Sequence, residues 1–413
     1  MRGSGRLSVI AGVCSAIVMS VAACSSSGSS AGAASSGSSA SSSGSSAAGT
    51  YNVFAVEALS GPDAAYGQAA GDAVKAAVDV INNSGGVLGH KVVLTMKDDA
   101  GDPTTAVTLL ESELAGSTKP NLVVPGLFST ETVPLVPITT KAGILTVAPG
   151  DAQSLDDPAK YPLHFSCTPL GSSTAAALIA EMKSKGYTKL GIAVTDDEAS
   201  VSTESYLEAD AKAAGMTYTA AQLSLTAVDA TPQLEQLMAA KPQVVIFVMD
   251  GASNGVLLRS RATLGWNVPF YTNTAGTSFN VGAQVPPADW KNVYLQAQSF
   301  LVYGNPETQT PQFKTFSAAL SKYVPQVTQG MALYVNPYDP LLVWAAAANE
   351  AKSVDPQKVA AAIERLTNSS QVPNFVGQGT LYGGDAHFPN FAPSDFVYVP
   401  IGPTVDGLVK PAS

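Results

Sequence analysis

The sequence predicts an α/β protein made of two doubly wound parallel-sheet lobes, and three observations carry that expectation. Short apolar runs alternate with helical patterns from about residue 51 onward. The runs are continuous instead of alternating with polar residues, as in parallel strands covered on both faces. A weak internal echo pairs residues 138–150 with residues 262–274: each reads as a helix end (Ala142-Gly143, Leu264-Gly265), a strand and a polar turn.

The expected strands run over Val53–Val56, Val92–Met96, Leu122–Val124, Ile144–Val147, Leu190–Val194, Val244–Met249 and Val268–Tyr271. Between the first two, Ala70, Ala73, Val74, Ala77 and Ile81 form one apolar stripe that ends at Asn83-Ser84-Gly85-Gly86, the pattern of an amphipathic helix and its stop. Asp102 as cap and Pro103 behind it open the next helix, and Thr231-Pro232 opens a later one in the same way.

Residues 1–50 are a different kind of sequence. Arg2 and Arg6 precede an apolar run from Leu7 to Ala23, which ends in Val21-Ala22-Ala23-Cys24. This reads as a signal peptide over 1–23, with small residues abutting a cysteine as in a bacterial lipobox, so Cys24 is the expected lipidation site. Every residue from Ser25 to Thr50 is Ser, Gly, Ala or Thr. Such a segment buries nothing and serves as a tether, spanning roughly 25 to 30 Å as a flexible coil.

Composition excludes several functions. Of the 413 residues 46% are hydrophobic and only 13% charged, with a formal net charge of −10, so no basic face exists for nucleic acid. His90, His164 and His387 lie far apart, and the three cysteines form no CxxC. Neither a metal site nor a cofactor is expected, and Cys167 is most simply a core thiol.

In doubly wound sheets, ligands sit beyond the carboxyl ends of the strands, at helix N-termini. Two such lobes facing each other bring both sets of turns to one cleft. The expected lining is 59–62, 127–130 and 148–151 from one lobe, and 196–198, 250–253 and 272–274 from the other.

These turns carry a family resemblance. S-G-P-x-x-x-Y-G at 60–67, I-N-x-x-G-G-x-x-G at 81–89, D-D-A-x-D-P at 98–103 and A-G-I-L-x-x-x-P-G at 142–150 together resemble the type I periplasmic binding proteins of branched-chain amino acid ABC transporters. The similarity runs from about Asn52 to about Phe391. It implies a lipid-anchored, extracytoplasmic solute-binding protein that closes by hinge bending, docks on an ABC permease and catalyses nothing. A ligand-sensing domain for a membrane signalling partner is the alternative, and the chain is expected to act as a monomer. Crossings near Pro169, Gln296 and Pro373 would form a three-strand hinge, giving lobe 1 as 51–168 with 297–372 and lobe 2 as 169–296 with 373–413.

The resemblance also supplies site residues. Ser129, with Phe128 and Thr130 beside it, matches the serine that holds the ligand carboxylate, and the backbone at Gly150 and Asp151 matches its second support. Independently of the family, a serine hydroxyl and free amides at a helix N-terminus accept an anion. Tyr66 matches an aromatic lying over the ligand, and Tyr334 is a candidate apolar wall, as is Tyr338. Departures weigh against branched-chain amino acids: Ala152 replaces a threonine, Thr274 the glutamate that accepts the ammonium, Ser200 an expected tyrosine, and Gly101 and Phe128 the disulfide cysteines. Asp250 is a substitute amine partner if it does not cap the following helix.

One motif points elsewhere. Gly251-Ala252-Ser253-Asn254-Gly255 matches G-x-S-x-G between a strand and a helix, the context of a hydrolase nucleophile elbow. His387 with Asp339 or Asp385 would have to complete the triad. The same pattern at Gly28–Gly32, inside the tether, shows how cheaply a chain with 36 glycines produces it.

Overall fold

Two sheets organise the chain, and a computed structural model describes residues 49–150, 152–377, 379, 381–383, 386–389 and 391–412. The signal segment, Cys24, the tether as far as residue 48, Asp151 and Asp385 lie outside the described residues.

The first sheet is built from β1 (Tyr51–Glu57), β2 (Val92–Asp98), β3 (Leu122–Val124), β4 (Leu145–Ala148) and β5 (His164–Ser166), interleaved with α1 (Ala64–Asn83), α2 (Pro103–Leu114) and α3 (Ser129–Ala142). Its order is β2-β1-β3-β4-β5, with every pairing parallel. The stripe on α1 faces inward as its spacing requires, with Ala70, Ala73, Val74 and Ala77 fully buried. Gly67, at the start of α1, lies against β1: a Cβ there would come within 2.2 Å of the Ala58 carbonyl oxygen. Asp102 caps α2 by accepting from the Thr105 amide at 2.7 Å. Asp98 accepts from the amides of Ser60 and Ala100, which ties together the turns after β1 and β2.

The second sheet contains β6 (Lys189–Thr195), β7 (Thr217–Leu223), β8 (Val244–Val248), β9 (Phe270–Thr272), β10 (Val293–Gln298) and, from the chain's end, β11 (Phe396–Pro400). Around it lie α4 (Gly171–Ser184), α5 (Glu198–Ala213), α6 (Thr231–Ala240) and α7 (Ser253–Thr263). Its order is β11-β10-β9-β8-β6-β7. The expectation of parallel pairing holds except at one edge, where β11 pairs antiparallel with β10.

The chain then returns to the first sheet with α8 (Pro311–Leu320), α9 (Ala332–Ala351) and α10 (Pro356–Ile363). Their apolar faces join Val53, Leu122, Val147 and Phe165 in one core. The described residues of 373–388, expected with the second lobe, pack instead on the first. Phe375, Val376 and Leu381 enter that core, and the His387 ring stacks on Phe165 at 4.0 Å. A hairpin of β12 (Thr404–Val405) and β13 (Leu408–Val409) closes the chain. Two titratable groups sit in the crossing region. Asp339 on α9 accepts from the amides of Val376 and Gly377 at 2.9 and 2.8 Å, while burial pushes its carboxyl up to about 7. Cys167 lies 3.3 Å from the Tyr382 hydroxyl, and burial pushes its thiol pKa upward.

Candidate functional site

The carboxyl ends of both sheets face one cavity of about 90 Å³. A larger groove, about 740 Å³, lies on the outside between α8 and the terminal hairpin. Of these two, the smaller is walled by turns of both sheets, which is where this fold places ligands.

From the first lobe come Leu127, Phe128, Ser129, Pro149 and Gly150. Ser129 opens α3 and is 7% exposed. Gly150 lies in the turn after β4 and is held by its carbonyl, which accepts from Ser166 Oγ at 2.8 Å and Thr168 Oγ1 at 3.2 Å. A Cβ on Gly150 would sit 3.5 Å from Ser129 Oγ and 3.2 Å from Thr132 Oγ1. The corner therefore has a backbone floor, a hydroxyl and the positive end of a helix, and it suits a carboxylate.

Behind the corner sits a group of buried acids: Glu57 at the end of β1, Asp99 after β2 and Glu131 in the first turn of α3. Burial, with Asp99 and Asp63 nearby, pushes Glu131 up to about 8. Burial first, then Glu131 and Asp99, pushes Glu57 well above the usual carboxylate range. Both shifts favour the protonated carboxyls, which lessens their repulsion of an incoming anion. Among the described residues, no group of three or more His, Cys, Asp or Glu is arranged to hold a metal ion.

From the second lobe come Asp250, Asn273, Thr274, Thr277, Ser278 and Phe279. Asp250 ends the strand region before α7, whose cap position is Ala252, with no side-chain cap bond. Asn273 is buried, and its Oδ1 has no hydrogen-bond partner within the protein, so the cavity wall carries an open acceptor. Residues 277–280 strap across to the loop between α8 and α9: the Gly330 amide donates to Ser278 O at 2.9 Å, and Asn280 Nδ2 donates to Thr328 O at 2.9 Å. Tyr66 touches the strap through Phe279, edge to face at 5.1 Å. Nearby, Ser154 donates to Glu198 across the cleft at 3.0 Å.

Several expected site residues lie elsewhere, each for a local reason. Thr130 points outward from the first turn of α3 and is exposed. Ala152 packs with Val136, Leu155, Tyr161 and Phe388 in a satellite core. Ser200 belongs to the cap of α5, where its amide donates to Asp197 at 2.9 Å and its hydroxyl meets Thr195 at 3.1 Å. Tyr334 faces the core side of α9, while its neighbours Leu333 and Asn336 face the cavity. Tyr338 is also core, its ring 4.7 Å from Phe316.

Residues 277–279 and 298, and the α9 pair Leu333 and Asn336, were not expected in the wall. For α9 the sequence holds a signal in Asn336-Pro337-Tyr338-Asp339-Pro340. Prolines at 337 and 340 cannot donate to the carbonyls of Leu333 and Asn336. Both carbonyls that lose this helical bond therefore belong to cavity residues.

The triad expectation finds no geometric support. Ser253 Oγ donates to Leu225 O at 3.1 Å, in the second lobe. His387 bonds His164 O in the first, and Asp339 is engaged by two amides.

Two lobes with parallel sheets meet at one cavity and are joined by several crossings, an architecture shared with two-lobed binding proteins. The chain belongs to the periplasmic binding protein family, whose sequence model matches residues 50–390. The fold is that of the type I members. It is similar to a type 1 periplasmic binding protein from Bordetella pertussis, with a TM-score of 0.73 and 19% identity, over 88% of this chain and 99% of that one. It also resembles the branched-chain amino acid transporter substrate binding protein of Streptococcus pneumoniae, solved with isoleucine, with a TM-score of 0.68 and 18% identity, over 82% and 93% of the two chains. In sequence it is 37% identical to a Leu/Ile/Val-binding protein of Rhizobium johnstonii over 91 residues. That match spans 22% of this chain and only 24% of the curated relative. The family is one of binding proteins.

Proposed function

We propose that this is an extracytoplasmic solute-binding protein that captures an amino acid or related small acid and presents it to an ABC permease. The observation that carries the reading is the pairing, across one cavity, of the Ser129–Gly150 corner with the acceptors of Asp250 and Asn273. A carboxylate enters the corner, and a donor group at the other end meets the acceptors. Relatives named for Leu/Ile/Val binding support the amino-acid class. Thr274, in place of the family's glutamate, gives Asp250 and Asn273 the task of holding an ammonium.

The lobes close over the ligand because only the closed form lets it touch both walls; a ligand bound equally in both forms would shift nothing. The N-terminal sequence supports a lipid anchor at Cys24, with residues 25–50 as tether. A thermal-shift screen of amino acids, amides, aromatic acids and nucleobases tests the function, since binding to the native state raises the midpoint. An amino acid or small acid should raise it; a screen without any such response overturns the reading. Mass spectrometry of the membrane fraction tests the anchor: an unmodified N-terminus, or cleavage other than after Ala23, removes it.

A further inference from the structure

The proposed function leaves the middle of the ligand unassigned, and the rings across the cavity bear on it. Phe128, on the first lobe, and Phe279, on the second, both line the cavity. Their planes differ by 6°, and their centroids are 6.5 Å apart. Two layers of carbon contact at 3.5 Å add to about 7 Å, more than the 6.5 Å between the centroids, so the lobes must part for one flat ring to enter between them. Phe279 is held at this orientation by Tyr66 packed edge-on at 5.1 Å and by the strap that ties 277–280 to residues 328–330. Phe128 is the N-cap residue of α3, adjacent to Ser129. A ring placed there hangs beside the carboxylate corner.

We propose that the ligand is an aryl carboxylate or aromatic amino acid whose ring is gripped between Phe128 and Phe279 while its carboxylate occupies the Ser129–Gly150 corner. This rests on the proposed function and narrows its substrate class. A branched aliphatic side chain fills the same space without the flat face that both rings present. Aromatic contacts contribute about 0.5–1.5 kcal/mol each beyond burial, so two faces give about tenfold preference for a ring.

Calorimetry of the full chain with L-phenylalanine, 3-phenylpropanoate and L-leucine tests this. At least one aromatic probe should bind about tenfold more tightly than leucine, and Phe279→Leu and Phe128→Leu should each erode that preference. The ring protons of the bound aromatic probe should shift upfield in NMR spectra, and less so in either variant. Phenylalanine against phenylpropanoate shows whether Asp250 and Asn273 demand an ammonium; tight binding by either supports the ring grip. Leucine binding as tightly as both aromatic probes overturns the ring grip while leaving the binding-protein reading standing. Binding by none of the three also overturns it, and the wider ligand screen then decides the binding-protein reading separately. An aromatic preference unchanged in both variants overturns it as well, and native-like circular dichroism spectra keep that result interpretable.

Discussion

On the first-lobe side of the cavity the polar groups belong to a helix end and a strand end, fixed by the fold: Ser129 opens α3, and Gly150 is pinned by Ser166 and Thr168. On the second-lobe side they are side chains on turns and short 3-10 segments, among them Asp250, Asn273 and Thr277. The first wall can recognise only what every carboxylate shares. The second can be rewritten one side chain at a time without disturbing a sheet. Ligand identity should therefore be set mainly by the second lobe, with Phe128 the exception on the first.

The comparison breaks most sharply at Gly150. A side chain at Gly150→Val would project into the corner, where even the first carbon meets Thr132 Oγ1 at 3.2 Å, so binding of every carboxylate probe should fall below detection by calorimetry. Retained affinity would remove the corner from the site. Ser129→Ala leaves the floor and deletes the hydroxyl; a hydrogen bond to a charged group contributes about 1.5–3 kcal/mol, so affinity should drop roughly 10- to 100-fold, equally for aromatic and aliphatic acids. A loss confined to one class would contradict the division of labour between the walls.

The acids behind the corner sharpen the comparison through stability. Glu131 rises from 4.5 to about 8 and Asp339 from 3.8 to about 7 in the folded chain. Between those limits the native state holds protons that the unfolded state has released, so stability falls as pH rises through that window. The thermal midpoint should be lower at pH 8.5 than at pH 6, and Glu131→Gln should shrink the difference. A midpoint rising over the same interval would show that Glu131 is ionised in the fold. The smallest effect belongs to Ser253→Ala, which removes one bond to Leu225 O: ligand affinity should change by at most about 1 kcal/mol, and labelling by a serine-directed covalent probe should be absent.

Legibility in the sequence followed burial. Strands covered on both faces, such as β6 and β8, announce themselves as apolar runs, and α1 by its stripe. The edge strand β7, with Thr217, Tyr218, Thr219 and Gln222, and the short β5, with His164 and Ser166, carry no such run. The antiparallel β11 is separated from its partner β10 by about a hundred residues, a distance over which periodicity carries no information. Of the residues lining the cavity, Phe128, Ser129, Gly150, Asp250 and Thr274 were legible because they follow strands. Phe279 was not, since it lies in the turn between two short 3-10 segments, where no period runs. Thr130, Ala152 and Ser200 misled for one reason: a residue near a strand end can face outward, cap a helix or fill a satellite core, and spacing alone does not separate these.

The central claim is that the corner at Ser129 and Gly150 receives the carboxylate while the second lobe closes over the remainder. A crystal structure of the protein with its tightest-binding acid tests it most directly. The account predicts a carboxylate oxygen within hydrogen-bond distance of Ser129 Oγ, about 2.5–3.0 Å, with the ligand touching both Phe128 and Phe279. A carboxylate directed at Asn273 instead, or a ligand seated in the outer groove between α8 and the terminal hairpin, would contradict it.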